Sequence, residues 1–246
     1  MQLTILRYDT IDSTNTEALR QARLGAAEGL VILAAEQTGG RGRLGRTWVS
    51  TKDAGLYFSV ILRPRFEIQY FPLITLMAGV SVHEAIEGFG LNPDLKWVND
   101  VLVGGKKISG ILAEATETPS GTAVIVGIGV NLRSFGYPPE IVGTATSIEH
   151  ELGTVLDAEA VLEHLTKRMI KNWNTLNLSD GPEQIRQNWT NRSSYAYGKR
   201  VVAVTDEGKV NGTTNGIESD GALRITLDDG TIRVIRAGDV EMVRAA

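Results

Sequence analysis

The sequence predicts an α+β fold, with an α+β domain over residues 1–194 and a small β-barrel over residues 195–246. Three observations carry that expectation. Strand-like and helix-like stretches alternate as far as Leu176, whereas only short strands broken by Glu207-Gly208, Asp220-Gly221 and Asp229-Gly230 follow from about Tyr195. Apolar residues make up 42 % of the 246, enough to build a core.

Taken in order, Leu3 to Tyr8 reads as a strand and Thr14 to Leu24 as a helix, with Thr14 and Glu17 at capping-box spacing. Leu30 to Ala35 is an apolar strand that runs into the glycine-rich loop Thr38 to Arg46, and Trp48 and Val49 resume extended structure. Leu56 to Leu62 has strand character. Leu73, Leu76, Met77 and Val80 keep the i, i+3, i+4, i+7 spacing of a core-facing helix that ends near Gly88. Leu95 to Val103 and Lys107 to Glu114 read as strands joined by a two-residue Gly104-Gly105 hairpin turn. Ala123 to Val130 is a further strand, and Ala158 to Trp173 a further helix. In the tail, strands are expected at Val201 to Val204, Val210 to Gly216, Leu223 to Leu227 and Ile232 to Ile235.

Composition removes whole classes of function. Without cysteine there is no disulfide framework, no Cys-ligated zinc and no thiolate nucleophile, which is compatible with a reducing cytoplasm. The formal net charge of −4 argues against a polybasic nucleic-acid binder. No apolar run approaches the length of a membrane span, and Arg7, Asp9 and Asp12 interrupt any signal peptide. The histidines, His83, His150 and His164, show no metal spacing, and Glu87 stands where a zinc motif beginning at His83-Glu84 needs its second histidine.

The strongest local signal is Thr38-Gly39-Gly40-Arg41-Gly42-Arg43-Leu44-Gly45-Arg46-Thr47-Trp48. Glycines bring backbone N–H groups close to a ligand, and arginine forks match carboxylate and phosphate oxygens, the chemistry of an anion clamp. The same glycines make an ordered loop entropically costly, so the loop is expected to be mobile. It imitates a dinucleotide fingerprint and a P-loop, but no helix follows, and an arginine replaces the P-loop lysine. A solvated basic loop or an arginine-glycine contact to nucleic acid stays open from this segment alone. Ser13-Thr14-Asn15 sits where a strand meets a helix and serves either as a cap or as a polar head-group site. Asn99 and Asp100 offer oxygens to hydrated Mg²⁺ and phosphates, and Lys107 an ammonium to a carboxylate; a hairpin with polar ends is the plain alternative. Gly127 and Gly129, inside a Val/Ile-rich strand, mark close approach by a ligand or a bend.

Together these segments resemble the biotin protein ligases. The residues that carry the resemblance are Ser13-Thr14-Asn15, Gln37, Gly40-Arg41-Gly42-Arg43-x-Gly45-Arg46-x-Trp48, Lys96-Trp97-x-Asn99-Asp100, Lys107-x-x-Gly110 and Gly127-x-Gly129-x-Asn131, all in family order. The resemblance implies a mixed-sheet catalytic domain of the biotin/lipoate ligase type followed by an SH3-like C-terminal barrel. It implies biotin contacts from Ser13, Thr14, Gln37, Gly40, Arg41, Lys107, Gly110 and Gly127, and nucleotide or phosphate contacts from Arg43, Arg46, Trp48, Asn99, Asp100 and Asn131. Lys107, Arg41 and Arg43 would be catalytic, and Asp100 would hold Mg²⁺. The implied reaction uses ATP to form biotinyl-5′-AMP and passes the acyl group to a lysine of a biotin carboxyl carrier domain. Neither zinc nor haem is implied, nor DNA or membrane as partner; composition makes a cytoplasmic protein the default reading, and the oligomeric state stays open, a homodimer being one form.

One position departs from the family pattern: Val98 replaces the usual proline, restoring an N–H and loosening the expected hold on Asn99. Cysteine-dependent acyltransferases of related fold are excluded. A lipoate ligase is the enzyme alternative, although its Arg-Arg-x-x-Gly-Gly-Gly run is missing. The alternatives from other classes are a DNA-binding regulator, for which the resemblance from about Tyr8 leaves no winged helix-turn-helix domain, and a non-catalytic biotin-binding module.

Overall fold

The computed structural model describes residues 1–242, so residues 243–246 of the expected second domain lie outside the described residues. The chain opens with β1 (Thr4–Ile11), α1 (Thr14–Arg23), β2 (Leu30–Gln37) and β3 (Gly55–Leu62). It continues through α2 (Pro72–Glu87), β4 (Pro93–Lys96), β5 (Asp100–Val103), β6 (Lys106–Thr118) and β7 (Gly121–Asn131). These strands form one seven-stranded mixed sheet in the order β1-β2-β3-β7-β6-β5-β4, in which only β1 and β2 run parallel.

Side-chain alternation sorts the central strands onto two faces. Leu56, Phe58, Val60 and Leu62 of β3, with Val124, Val126, Ile128 and Val130 of β7, join the main core beneath α2 and α4 (Ala158–Leu176). The opposite face places Ile61 and Ile125 in a smaller core with Ala18 and Ala22 of α1. Burial on both faces explains why these strands read as continuous apolar runs rather than alternating ones. The same alternation puts Ser59, Gly127 and Gly129 on the α1 face, where the site lies.

Several local expectations are corrected. The cap of α1 is Ser13, whose Oγ accepts from the Thr16 N–H at 3.4 Å, while Glu17 turns away to pair with Arg20. Trp48 and Val49 are not a strand; an isolated bridge between Arg41 and Thr47 closes the arginine loop. Leu95 to Val103 is two strands, β4 and β5, separated by a turn at Trp97 to Asn99 in which the Trp97–Val98 peptide is cis. The Gly104-Gly105 hairpin is as expected, with φ of 58° and 79° suited to its two central positions.

Three elements were not expected: α3 (Ile148–Leu152), α5 (Gly181–Asn191) and the last strand, β12 (Asp239–Met242). The tail forms a second, antiparallel sheet from β8 (Tyr197–Thr205), β9 (Gly208–Ile217), β10 (Leu223–Thr226), β11 (Ile232–Ile235) and β12. Its order is β11-β10-β9-β8-β12. Among the described residues β11 and β12 do not pair, so the expected small SH3-like unit is an antiparallel sheet left open between those two strands. Val201, Leu223, Ile225 and Val240 of this sheet share the main core, and Trp97 Nε1 donates to the Gly221 carbonyl at 2.9 Å across the two sheets.

Candidate active site

Strand register builds the floor of the site. Ser59 lies opposite Gly127, which lies opposite Leu112, and one step along Tyr57, Gly129 and Gly110 are in line. Without side chains at 127, 129 and 110 the sheet has a trough on its α1 face. Asn15 enters it over Gly127, and the Trp48 indole lies over Gly129 and Gly110; a Cβ at Gly127 or Gly129 would overlap these side chains.

One end of the trough is polar and uncharged. The Thr14 N–H and hydroxyl both reach Gln37 Oε1, at 2.8 and 3.0 Å, and Gln37 Nε2 donates to Ser50 Oγ at 2.7 Å. Ser59 Oγ stands 2.8 Å from Thr14 Oγ1 and 2.5 Å from Asn15 Oδ1. Ser13, Thr14 and Asn15 are buried, so this is a preformed pocket of donors and acceptors rather than a solvated cap.

The other end is cationic. Arg43 Nη1 lies 3.3 Å from both Asn99 Oδ1 and Asp239 Oδ1, and its Nη2 donates to the Gly238 carbonyl at 3.1 Å. Arg46 pairs with the other Asp239 oxygen at 2.6 Å. Lys107 Nζ lies 2.5 Å from Asp100 Oδ1 and 5.4 Å from the centre of the Trp48 ring, within cation–π range. Lys96 Nζ is 4.0 Å from Asp100 Oδ2. Five cations, Arg41, Arg43, Arg46, Lys96 and Lys107, thus gather with three carboxylates, Asp100, Glu114 and Asp239, a balance that favours an anionic ligand. The arginine loop, expected to be a mobile strap, is tied at three points by acidic partners. Asn99 is held as well: its Nδ2 donates to the Ile111 carbonyl at 2.9 Å and its own carbonyl accepts from the Ile111 N–H at 3.0 Å. The looser Asn99 expected from Val98 is therefore not what the structure has.

A resident metal centre does not fit these residues. Asp100 is a single carboxylate flanked by two ammoniums, and no three His, Asp or Glu side chains converge on one point among the described residues.

One cavity brings together Ser13, Thr14, Gln37, Arg41, Arg43, Arg46, Trp48, Asn99, Asp100, Lys107, Gly110 and Gly127. It leaves out two residues expected in it. Gly40 lies beneath, where a Cβ would meet the Trp48 carbonyl and Ser50. Asn131 Nδ2 donates to the Thr146 carbonyl at 3.0 Å and reaches the Lys107 carbonyl at 3.4 Å, bracing the start of β6. Sequence reasoning missed Glu114 and Asp239. Glu114 lies within β6 and belongs to no motif, and Asp239 reaches the loop from 196 positions away.

Comparison with known proteins gives the class. Residues 8–131 match the biotin/lipoate A/B protein ligase family, and residues 197–243 match the biotin protein ligase C terminal domain. The chain is 34 % identical to the bifunctional ligase/repressor BirA of Bacillus subtilis over 97 % of its own length and 74 % of that protein. It is also 34 % identical to the biotin–[acetyl-CoA-carboxylase] ligase of Paracoccus denitrificans, over 93 % of this chain and 96 % of that one. The solved structure of the Aquifex aeolicus biotin protein ligase in complex with biotin and ATP superposes with a TM-score of 0.84 at 32 % identity, covering 98 % and 99 % of the two chains. The chain therefore belongs to the biotin/lipoate A/B protein ligase family. The C-terminal match, with the biotin ligase relatives, puts it on the biotin side of that family.

Proposed function

We infer that this protein is a biotin–protein ligase. Biotin's carboxylate attacks the α-phosphate of ATP, giving biotinyl-5′-AMP and pyrophosphate; the amine of an acceptor lysine then attacks the acyl carbon and AMP leaves. The carrying observation is the trough itself, an uncharged pocket at Ser13, Thr14 and Gln37 continuous with the cations of the arginine loop and Lys107. A neutral ring with polar edges suits the first part, and a carboxylate meeting a triphosphate suits the second, since two anions react only where cations offset their repulsion. The Aquifex relative that superposes on this chain holds biotin and ATP.

In this reading Ser13, Thr14, Gln37, Gly110 and Gly127 shape the biotin pocket, and Arg41 and Lys107 face the reacting carboxylate. Arg43, Arg46, Trp48, Asn99 and Asp100 serve the nucleotide. Gly40 and Asn131 act one layer behind, through the packing of Trp48 and the bracing of Lys107. Mg²⁺ arrives on the phosphates of ATP as part of the substrate. Residues 1–194 are the catalytic unit and 195–246 a second unit whose Asp239 reaches the nucleotide end. The acceptor is a biotin carboxyl carrier domain. A cytoplasmic setting and a homodimer without DNA or membrane contacts belong to the same proposal; no helix of the described residues is long and apolar enough to cross a membrane.

The test is ATP–pyrophosphate exchange with biotin and, in parallel, with lipoate. Exchange with biotin alone is the expected result; exchange with lipoate alone would make the protein a lipoate ligase, and biotin binding without exchange would make it a binding module. Retarded migration of duplex DNA at physiological salt would revive the regulator.

A further inference from the structure

We propose that Glu114 is a positioning residue of this site, aiming Arg41 and setting the donor–acceptor sense of the polar pocket through Asn15. The proposal rests on the functional reading above and concerns the same substrate, biotin. Glu114 stands on β6, belongs to no motif in the sequence, and has no part in the steps described so far.

Its carboxylate makes three contacts that fix two other side chains. Oε1 accepts from Arg41 Nη1 at 2.9 Å and Oε2 from Arg41 Nη2 at 2.7 Å, a fork that uses two of the five guanidinium N–H groups and aims the other three. Oε2 also accepts from Asn15 Nδ2 at 2.7 Å. A carboxylate and the Leu112 carbonyl, 3.2 Å from the same nitrogen, can only accept, so the Asn15 amide has one permitted orientation. Its Oδ1 must then face Ser59, whose single proton goes to it and leaves Ser59 Oγ an acceptor toward Thr14.

At the far end of the chain the Thr14 N–H, which can only donate, orients Gln37 in the same way. The Thr14 hydroxyl alone keeps a choice, between Gln37 Oε1 and Ser59 Oγ. A chain of six side chains, Arg41, Glu114, Asn15, Ser59, Thr14 and Gln37, thus runs from the arginine loop through the pocket, and Glu114, with the Leu112 carbonyl, fixes the sense of its Asn15 link. An exposed ion pair contributes little by itself. Here the pair is bidentate, and one of its oxygens is shared with Asn15, a residue only 4 % exposed.

Glu114→Gln tests this, because an amide has one acceptor oxygen where three N–H donors now converge, and its own NH₂ must face one of them. The expected result is a biotin dissociation constant raised about tenfold or more, the scale of one lost charge-assisted hydrogen bond. The KM for ATP should stay within about threefold and the Tm near wild type. If Glu114 acts through Arg41, the double variant Arg41→Ala/Glu114→Gln loses less than the product of the single losses. Biotin affinity within about twofold of wild type, or losses that multiply, would overturn the proposal. Should Glu114→Gln not fold, Glu114→Asp, which keeps the charge on a shorter arm, is measured against Arg41→Ala in the same cycle. A wild-type protein without biotin-dependent exchange would overturn the functional reading and this inference with it.

Discussion

Lys107 shows how much of a single residue's task lies in its surroundings. Its ammonium sits between Asp100 and the Trp48 ring, its N–H donates to the Thr144 carbonyl at 2.8 Å, and its carbonyl accepts from the Thr146 N–H at 2.9 Å. In the proposed reaction a lysine so braced would meet the reacting carboxylate and the oxygens on which charge develops without first losing side-chain freedom. Lys107→Ala should lower biotinyl-adenylate formation by about a hundredfold or more, the scale for loss of a single oxyanion donor. Near-normal pyrophosphate exchange in that variant would remove Lys107 from the mechanism. Residues of this kind were legible in the sequence because a charged or polar group at a strand or helix end within a dense motif has few structural reasons to be there. For Asn131 the motif located the residue, and the fold adds what the motif could not, that its amide nitrogen donates to two backbone carbonyls.

At the scale of elements, the strands β2, β3, β6 and β7 and the helices α2 and α4 could be read from periodicity, since each buries a long apolar stretch. The helix α5 could not, because Ile185 and Trp189 are its only fully apolar anchors in eleven mostly polar residues. Where β6 and β7 meet, the paired glycines 110 and 129 seat the indole of Trp48. Trp48 is only half-buried, so Gly129→Ala should leave the protein folded but push the indole off the sheet. The expected outcome is a KM for ATP raised about tenfold, with Trp fluorescence reporting the displacement; an unchanged KM would show that the indole has no part in nucleotide binding.

The first helix carries a pH-dependent contact of its own. Hydrogen bonds from Arg20 first, then from Gln21 and Tyr8, hold the Glu17 carboxyl down from its ordinary 4.5 to about 2. A depressed carboxyl binds fewer protons folded than unfolded, so its contribution is complete above about pH 4.5 and is lost as pH falls toward 2. The Tm of Glu17→Gln should therefore fall less steeply than wild type across that window, and parallel curves would contradict the assignment.

The whole molecule is joined at the cationic end of the trough. Arg43 bridges Asn99 of the first sheet and both Gly238 and Asp239 of the second, while Arg46 pairs with the same aspartate. No sequence pattern announces which acid, so far along the chain, will meet the loop; only the packing of the second sheet, tied at Trp97 and Gly221, brings it there. The consequence is retention. A mixed anhydride exposed to water and stray amines is lost, so an enzyme that makes one must enclose it until the acceptor docks. Arg43→Gly removes the bridge yet keeps Arg41, Arg46 and Lys107, so adenylate should still form. A charge-assisted hydrogen bond contributes about 1.5–3 kcal/mol, so losing one should speed adenylate release about ten- to a hundredfold. The measurement is biotinylation of a bystander protein in a mixture lacking the carrier domain, set against pyrophosphate exchange by the same sample. Increased bystander labelling with exchange preserved is the expected pair of results; exchange preserved without added labelling would show that the bridge between the sheets does not hold the intermediate.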